Sequence, residues 1–362
     1  MTDVRVAAAE LPAMEMGGRE EPRSLQRFDR GDFAELIGSA LSAAALTWLV
    51  FSSLAWNGAL GAMIVWYAVF LVMYRAVSRS IHGKLVSTDR MMTVVMVTGA
   101  AAAFVPLVMI IIFVITKGIQ YLRFSFFVDT LESVGPQDSG GGAFHSIVGT
   151  LEQVGLAAAF AIPMAILTAV YLNEVKGRMA QGVRFVIDSM SGLPSIVAGL
   201  FVYSFWVVQL GKGFSGFAGS MALVVLFIPT VTRASEEMLR IVPDSLREAS
   251  LAMGAPQWKT VLRVVLPTAR GGLVSAAILG TARAIGETAP MVLTVLGSSA
   301  LNWNVFNANQ DDLPLFILKL IRSPNATQVA RAWTGALVLV MLVLLLFTLA
   351  RILGRGRRKA ER

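Results

Sequence analysis

The chain has 362 residues, of which 56% are hydrophobic and only 15% are charged, and its formal net charge at pH 7 is +8. This composition is far too apolar for a soluble domain of that length, so it predicts a membrane protein. The absence of cysteine excludes disulfides, thiolate catalysis and cysteine-based metal sites, and the two histidines, His82 and His145, are too far apart in the sequence to indicate a histidine cluster.

The first segment, residues 1–35, mixes Glu, Arg, Pro and Gly without an apolar period. This pattern predicts a mobile cytoplasmic tail. It is not typical of a signal peptide, because the first apolar run begins late and continues into full-length spans.

About eight apolar runs follow, each long enough for the roughly 20 residues that cross about 30 Å of hydrocarbon. They lie at about 36–56, 59–78, 91–115, 146–172, 185–209, 217–233, 271–297 and 332–353. Only Trp56-Asn57-Gly58 separates the first two runs, so residues 36–78 are expected to form an antiparallel hairpin. The predicted fold class is therefore all-α, a polytopic membrane protein.

The distribution of basic residues predicts the orientation, because Lys and Arg near span ends are retained on the cytoplasmic side. If the N-terminus is inside, most of the 31 Lys and Arg residues fall on inner segments, including a basic tail over 354–362. The predicted outer loops, about 117–145 and 298–330, contain few basic residues and several aromatic ones. We therefore expect both termini in the cytoplasm and attribute the positive charge to orientation, not to nucleic-acid binding. The aromatic residues are expected to anchor in lipid headgroups or, alternatively, to contact an extracytoplasmic partner.

The stretch Pro243–Pro267 is a polar island between two long apolar runs. Ser245 and Glu248 have the S-x-x-E spacing of a capping box, which predicts that a helix begins at Ser245. Gly254, followed closely by a proline, is a stop signal, and the apolar spacing resumes from Trp258. The pattern predicts two short amphipathic helices that share one apolar side across a sharp corner.

The same stretch resembles the EAA signature of the permease subunits of binding-protein-dependent ABC importers. The matching residues are Glu248, Ala249, Ser250, Gly254, Val264, Leu266 and Pro267, and every spacing of the signature is kept. Ser250 stands where the signature has its second Ala, and Val264 where it has Ile. The resemblance implies a coupling helix that docks in a groove of the ATP-binding subunit. A surface hairpin without a partner is the alternative, whereas a DNA-binding helix-turn-helix is disfavoured by the flanking spans.

The predicted span 271–297 contains two opposite charges, Arg283 and Glu287, four residues apart and therefore on one helix face, with the Thr288 hydroxyl beside them. A charge at the centre of a spanning helix costs about 2.5–3.5 kcal/mol, so such residues usually face a bundle interior or a watery path. Because a guanidinium matches a tetrahedral oxyanion and the carboxylate keeps the empty site neutral, the pair predicts an anion path. A structural ion pair that locks helices together is the alternative. Arg233, at the inner end of the preceding span, is expected to be a second positive station or a snorkelling anchor.

Three segments resemble the PstA family of phosphate-specific transport permeases. They are Gly192-Leu-Pro-Ser-Ile-Val-Ala-Gly199, Pro229-Thr230 with Arg233 and Glu236-Glu237, and Arg283-Ala-Ile-Gly-Glu287-Thr-Ala-Pro290. The Thr-Ala-Pro ending favours this family over the sister permease PstC. The resemblance covers about Met91 to Arg351. It implies a six-helix permease core over 91–353, with a translocation path at Arg233, Arg283, Glu287 and Thr288. The hairpin 36–78 is an addition that the six-span plan of the family lacks.

The resemblance also implies a function and partners. The chain would be the permease subunit of an ATP-driven phosphate importer in a bacterial inner membrane, in contact with membrane lipid. It would pair with a PstC-like permease, two copies of a PstB-like ATPase and a PstS-like phosphate-binding protein. It would have no cofactor and no catalytic activity of its own, since the sequence contains no Walker A pattern. Alternating access would use Pro229 and Pro267 as candidate flexible points.

Two alternatives remain open. A permease of the same architecture for another oxyanion, such as molybdate or sulfate, would keep the EAA element but would not need Arg283 with Glu287. A proton-coupled secondary transporter would use Glu287 as a proton carrier, but it leaves the polar hairpin without a purpose. Dependence on a separately encoded ATPase distinguishes these two classes.

Overall fold

A computed structural model describes residues 30–54, 58–175 and 177–355 of the chain. Most of the predicted N-terminal tail, Trp56-Asn57 of the predicted turn and nearly all of the predicted basic C-terminal tail lie outside these residues. The described helices are α1 (Arg30–Ser53), α2 (Ala59–Gly118), α3 (Phe144–Glu174), α4 (Arg178–Ser191), α5 (Ser195–Val202), α6 (Gly216–Arg240), α7 (Asp244–Ala252), α8 (Gln257–Thr260), α9 (Leu266–Ile285), α10 (Ala289–Thr294), α11 (Leu313–Ile321) and α12 (Ala326–Arg355). Two π-helical segments extend α5 over Tyr203–Gln209 and join α8 to α9 over Val261–Val265, and two 3-10 turns lie at Ile119–Tyr121 and Phe124–Phe127.

The all-α prediction is confirmed. Among the described residues, the β pairing consists of one isolated bridge between Leu296 and Gln310. Six described helices are long and apolar enough to cross a membrane, and a bent pair of shorter helices makes a seventh if it counts as one span.

The stretch labelled α2, Ala59–Gly118, consists of two helices that meet at a kink at Gly83, so the predicted spans 59–78 and 91–115 lie in separate helices as expected. No proline separates them, so the polar residues between them remain helical except at Gly83, where φ is 81° and ψ is 176°. A φ in the left-handed region is readily adopted by glycine alone. The Ser87 hydroxyl donates to the carbonyl of Arg75 at 3.0 Å, and Tyr67 is hydrogen-bonded to Thr98. These contacts make the two arms of α2 antiparallel.

Two other predicted spans, 185–209 and 271–297, are each broken into two helices. The predicted span 185–209 is a bent pair in which α4 and the extended α5 meet at 103°. Pro194 follows the bend and disfavours helical geometry in the residue before it. In the predicted span 271–297, α9 ends at Ile285 and α10 begins at Ala289.

The described chain divides into two compact units whose boundary lies between Leu107 and Val108, within α2. The first unit contains α1 and most of α2. Ala43 of α1 is buried against Phe70 and Tyr74 of the first arm and Val94 of the second. The Trp66 indole donates to the carbonyl of Ala40 at 3.1 Å. This small core holds α1 and the two arms together.

The core of the second unit lies where α3, α6 and α9 cross. Small residues at Ala157, Ala161 and Ala165 recur every four positions along α3 and are fully buried, which permits close approach of α6. Phe227 of α6 packs in the same core cluster as these three alanines. A Cβ at Gly280 of α9 would clash with Val231, so α9 also lies close against α6.

A polar segment between α10 and α11 is inserted against the first half of α3. The Ser146 hydroxyl donates to Oδ2 of Asp311 at 2.7 Å, and the Leu313 amide donates to Oγ1 of Thr150 at 2.8 Å. Asp312 caps α11 by accepting the Leu315 amide at 2.9 Å. Much of the second predicted outer loop is therefore ordered by buried hydrogen bonds.

Candidate functional site

Three helices line an open cavity of about 330 Å³ with both polar and apolar side chains. Its lining comes from the end of α4, the second half of α6 and the end of α9. Thr230, Arg233 and Glu237 are spaced by three and four residues, so they share one face of α6. Arg283 reaches the same cavity from α9. Two of the predicted path residues, Arg233 and Arg283, are thus brought together although they belong to different helices.

Arg233 is paired with an acid that the sequence analysis did not single out. Its guanidinium forms an ion pair with Asp188 of α4, and both side chains are 43% exposed. Asp188 lies inside the predicted span 185–209, where a charge is as costly as at Arg283, so its place in the sequence marks it as a candidate in the same way. The pair keeps the cavity wall close to neutral when the cavity is empty.

The two neighbouring glutamates of α6 have different surroundings. Glu236 is buried and forms ion pairs with Arg184 of α4 at 2.7 Å and with Arg240 at 2.8 Å. Glu237 lines the cavity. Glu236 therefore fixes α4 against α6, and this contact sets the position of Asp188 relative to Arg233.

Arg283 and Glu287 remain neighbours, but the prediction that they share one helix face is wrong. α9 ends at Ile285, Gly286 follows as its C-cap, and Glu287 lies in the break before α10. The break follows from Pro290, which cannot donate to the carbonyl four residues earlier. The Arg283 Nε lies 3.9 Å from Oε1 of Glu287, with the arginine 68% and the glutamate 20% exposed.

Glu287 and Thr288 are not among the residues that line the cavity of Arg233 and Arg283. Thr288 is the residue before α10, and its hydroxyl donates to the carbonyl of Gly286 at 3.4 Å. Of the four predicted path residues, the described structure therefore gathers Arg233 and Arg283 in one cavity, and it places Glu287 beside Arg283.

The predicted coupling stretch forms a helical corner. α7 ends at Ala252, and Gly254 follows with a φ of 79°, exposed and with no other part of the described chain within 4 Å of a Cβ placed there. The hydroxyls of Ser250 and Thr260 are 2.9 Å apart and connect α7 to α8. The corner predicted at Gly254 is confirmed, and a left-handed glycine makes it.

Two local predictions for this stretch are wrong. α7 begins at Asp244 directly after the extended Pro243, without a side-chain cap, so Ser245 lies inside the first turn and the capping box with Glu248 does not form. The second helix is not short, because residues Gln257–Ile285 form one continuous helical segment. Leu266 and Pro267 lie within it, where the π-helical segment Val261–Val265 takes up the register change that the proline requires.

Arg247 fixes the hairpin to the end of α6. Its guanidinium donates to the carbonyls of Leu239 and Val242 at 3.0 and 2.9 Å, and its Nε lies 3.3 Å from Oε1 of Glu174. A cation that satisfies the last carbonyls of a helix is favoured by the helix dipole. The hairpin is therefore held rigidly beneath α6.

The apolar side of the hairpin is largely uncovered. The exposed residues are Leu246, Leu251, Met253, Trp258 and Leu262. Several large apolar side chains exposed on one short hairpin are a feature of interaction sites in proteins. Glu248 and Ala249 lie on the exposed surface of α7, next to these residues.

Residues 161–359 match the model of a protein family described as "Binding-protein-dependent transport system inner membrane component". A protein of Mycobacterium tuberculosis (strain CDC 1551 / Oshkosh), named "Phosphate transport system permease protein PstA 1", is 44% identical over 248 residues, which are 68% of this chain and 82% of that protein. A protein of Haemophilus influenzae, named "Phosphate transport system permease protein PstA", is 37% identical over 240 residues, 66% of this chain and 83% of that protein.

Solved structures include a similar fold. A chain of a bacterial alginate ABC transporter, in complex with an alginate-bound periplasmic protein, superimposes with a TM-score of 0.54 at 16% identity, over 75% of this chain and 96% of that one. At this identity the likeness is one of fold alone.

Proposed function

The chain belongs to the family of binding-protein-dependent transport system inner membrane components, and within it to the PstA permeases, and we propose that it forms the phosphate path of an ATP-driven importer. As a permease subunit the chain is non-catalytic. In the proposed importer, the energy for transport comes from a separate ATPase through a mechanical contact.

The proposal rests on the meeting of Arg233 and Arg283 in one cavity. A guanidinium presents a planar fork of donors that binds two phosphate oxygens at once. Two such groups on different helices can hold one tetrahedral anion between α6 and α9. A relative movement of these helices would then strengthen or weaken phosphate binding.

Asp188 makes release possible. In the empty cavity its carboxylate neutralises Arg233. An arriving phosphate competes for the same guanidinium, and the displaced carboxylate repels it. A transport site has to bind well enough to admit the anion and weakly enough to let it leave. The ion pair supplies that balance.

The hairpin carries the proposed contact with the ATPase. Its exposed apolar side fits a docking groove, and Gly254 leaves room for close approach at the corner. Because Arg247 fixes the hairpin to α6, movement of the hairpin would be transmitted to Arg233. The residues assigned to coupling are Glu248, Ala249, Ser250, Gly254, Leu266 and Pro267.

The proposed complex contains this chain, a PstC-like permease, two copies of a PstB-like ATPase and a PstS-like phosphate-binding protein. The permease core would be 91–353, with 36–78 as an added hairpin and both termini in the cytoplasm. The excess of Lys and Arg on the hairpin side supports this orientation.

The direct test is uptake of radiolabelled phosphate by liposomes that contain the reconstituted complex. Arg233→Gln and Arg283→Gln should each lower uptake about 10- to 100-fold, since a hydrogen bond to a charged group contributes about 1.5–3 kcal/mol. Arg178→Gln, an exposed arginine outside the cavity, is the matched control. Uptake of phosphate that continues without any ATPase subunit would instead indicate a secondary transporter, and ATP-driven uptake of sulfate or molybdate but not of phosphate would indicate another oxyanion.

A further inference from the structure

A second and larger cavity lies between the end of α6, the first half of α9 and the end of α12. Its volume is about 800 Å³. Met238 and Pro243 contribute from the α6 side, Arg270 and Ser275 from α9, and Arg351 from α12. It lies at the end of the helix bundle that carries the hairpin, and it shares no lining residue with the cavity of Arg233 and Arg283.

The two arginines of this cavity have no partner among the described residues. Neither Arg270 nor Arg351 forms an ion pair, a hydrogen bond or a ring contact there, whereas Arg184, Arg233 and Arg247 all have acidic partners. Two unpaired guanidinium groups on different helices, facing the same cavity, are complementary to an anion.

An apolar groove continues from the charged cavity along α9 and α12. This groove has a volume of about 280 Å³, and Val274 and Ile278 line both it and the charged cavity. The remaining walls are apolar except for Thr281, whose hydroxyl donates to the carbonyl of Ala277 at 2.9 Å. The combined feature is charged at one end and apolar along the rest of its length.

We propose that this groove binds an anionic phospholipid, with the phosphate between Arg270 and Arg351 and an acyl chain along the apolar walls. From Arg351 to Val343 the groove follows about 12 Å of helix, which approaches the roughly 15 Å thickness of one leaflet. Arginines at helix ends commonly reach the headgroup level in this way. Inorganic phosphate could bind the two arginines, but it has no apolar group that would occupy the apolar part of the groove.

The test uses the complete transporter complex in mild detergent and a fluorescently labelled phosphatidylglycerol. Arg270→Gln and Arg351→Gln should each weaken binding about fivefold, and the double variant about 25-fold, the effect of removing basic residues at an anionic membrane surface. Labelled phosphatidylcholine should bind weakly to all forms. Arg178→Gln, an exposed arginine at the same end of the bundle, should leave phosphatidylglycerol binding unchanged.

A second variant separates a lipid from free phosphate. Ile278→Trp fills the junction of the two cavities, so it should weaken phosphatidylglycerol binding while both arginines remain. Millimolar inorganic phosphate should not displace the lipid. The proposal is overturned if phosphate competes fully and Ile278→Trp has no effect, because the site then serves the free anion. It is also overturned if the double arginine variant binds the lipid normally.

Discussion

Gly199 of α5 lies directly against Pro290 of α10, so closely that a Cβ at Gly199 would be 2.6 Å from the Pro290 Cα. Each residue belongs to one of the segments that resemble the phosphate permeases, and each lies just beyond a break in a predicted span. The contact therefore joins the two broken helices beside the candidate path.

We expect Gly199→Ala to reduce both stability and transport, because the methyl group would meet backbone atoms that cannot rotate away. Overpacking of this kind costs about 1–3 kcal/mol. The thermal midpoint of the purified protein in detergent and phosphate uptake in liposomes would both be measured. Gly192→Ala is the matched control in the same segment, since the nearest atom to its Cβ would be 3.6 Å away. Equal midpoints for the two variants would contradict the role of this contact.

The pairing of Arg283 with Glu287 predicts selectivity. Phosphate at neutral pH still carries a proton, so a carboxylate can accept its P–O–H group, whereas fully ionised sulfate would only be repelled. Glu287→Gln can donate to sulfate and removes the repulsion, so phosphate uptake should fall and sulfate uptake should rise in relation to it. The measurement needs a binding protein that delivers both anions. Normal phosphate uptake with continued exclusion of sulfate would make Glu287 a structural partner of Arg283.

Gly254 tests the docking of the hairpin. Its positive φ is unfavourable for most side chains, so Gly254→Asp should disturb the corner and also place a charge on the proposed ATPase contact. We expect ATP hydrolysis to become uncoupled from phosphate uptake. Asn matches Asp in size and in its tolerance of the left-handed conformation but is uncharged, so Gly254→Asn separates the effect of the added charge from that of the side chain itself. If the hairpin docks on the ATPase at this corner, both variants should be uncoupled. Full coupling in both would contradict the assignment of the hairpin to ATPase docking.

The added hairpin is predicted to be dispensable for transport. A truncation that begins near Thr88 removes Asp32 and Glu35, whose carboxylates lie 2.7 and 3.4 Å from the Arg90 guanidinium. Arg90→Gln should therefore be combined with the truncation, so that no unpaired charge is left in the apolar unit. Uptake should persist at about the rate of the full-length Arg90→Gln control. Loss of uptake from an assembled and correctly inserted truncation would show that 36–78 is essential.

The buried pair Asp311 and Asp312 predicts a pH-dependent stability. Burial raises the pKa of Asp312 from its usual 3.8 to about 8, with repulsion from Asp311 contributing, and burial raises the pKa of Asp311 to about 6. Between about pH 4 and pH 8 the folded protein therefore keeps protons that the unfolded chain has already released. The free energy of unfolding should fall as the pH rises through this window. Asp312→Asn stays neutral and can still accept the Leu315 amide. Its thermal midpoint should fall less between pH 5 and pH 9 than that of the unchanged protein, and parallel curves would contradict the assignment.

Features that depend on neighbouring residues were predictable from the sequence. The apolar runs predicted a membrane protein, because a membrane span is recognised from its length and composition alone. The corner at Gly254 was recognisable because a helix stop is local, and Arg283 and Glu287 are close in space because they are four residues apart. The capping box predicted at Ser245 does not form, and the cause is also local: the helix begins one residue earlier, at Asp244, directly after Pro243.

The tertiary structure decided which distant residues meet. Helical spacing shows which residues share a face, but not how two helices are rotated against each other. The cavity shared by Arg233 and Arg283, and the pairing of Arg233 with Asp188, depend on that rotation. It is set by Glu236 between α4 and α6 and by the small residues where α3, α6 and α9 cross. The break after Ile285 likewise lies where Gly199 packs against Pro290, a contact between residues far apart in the sequence, and no window of the sequence contains both.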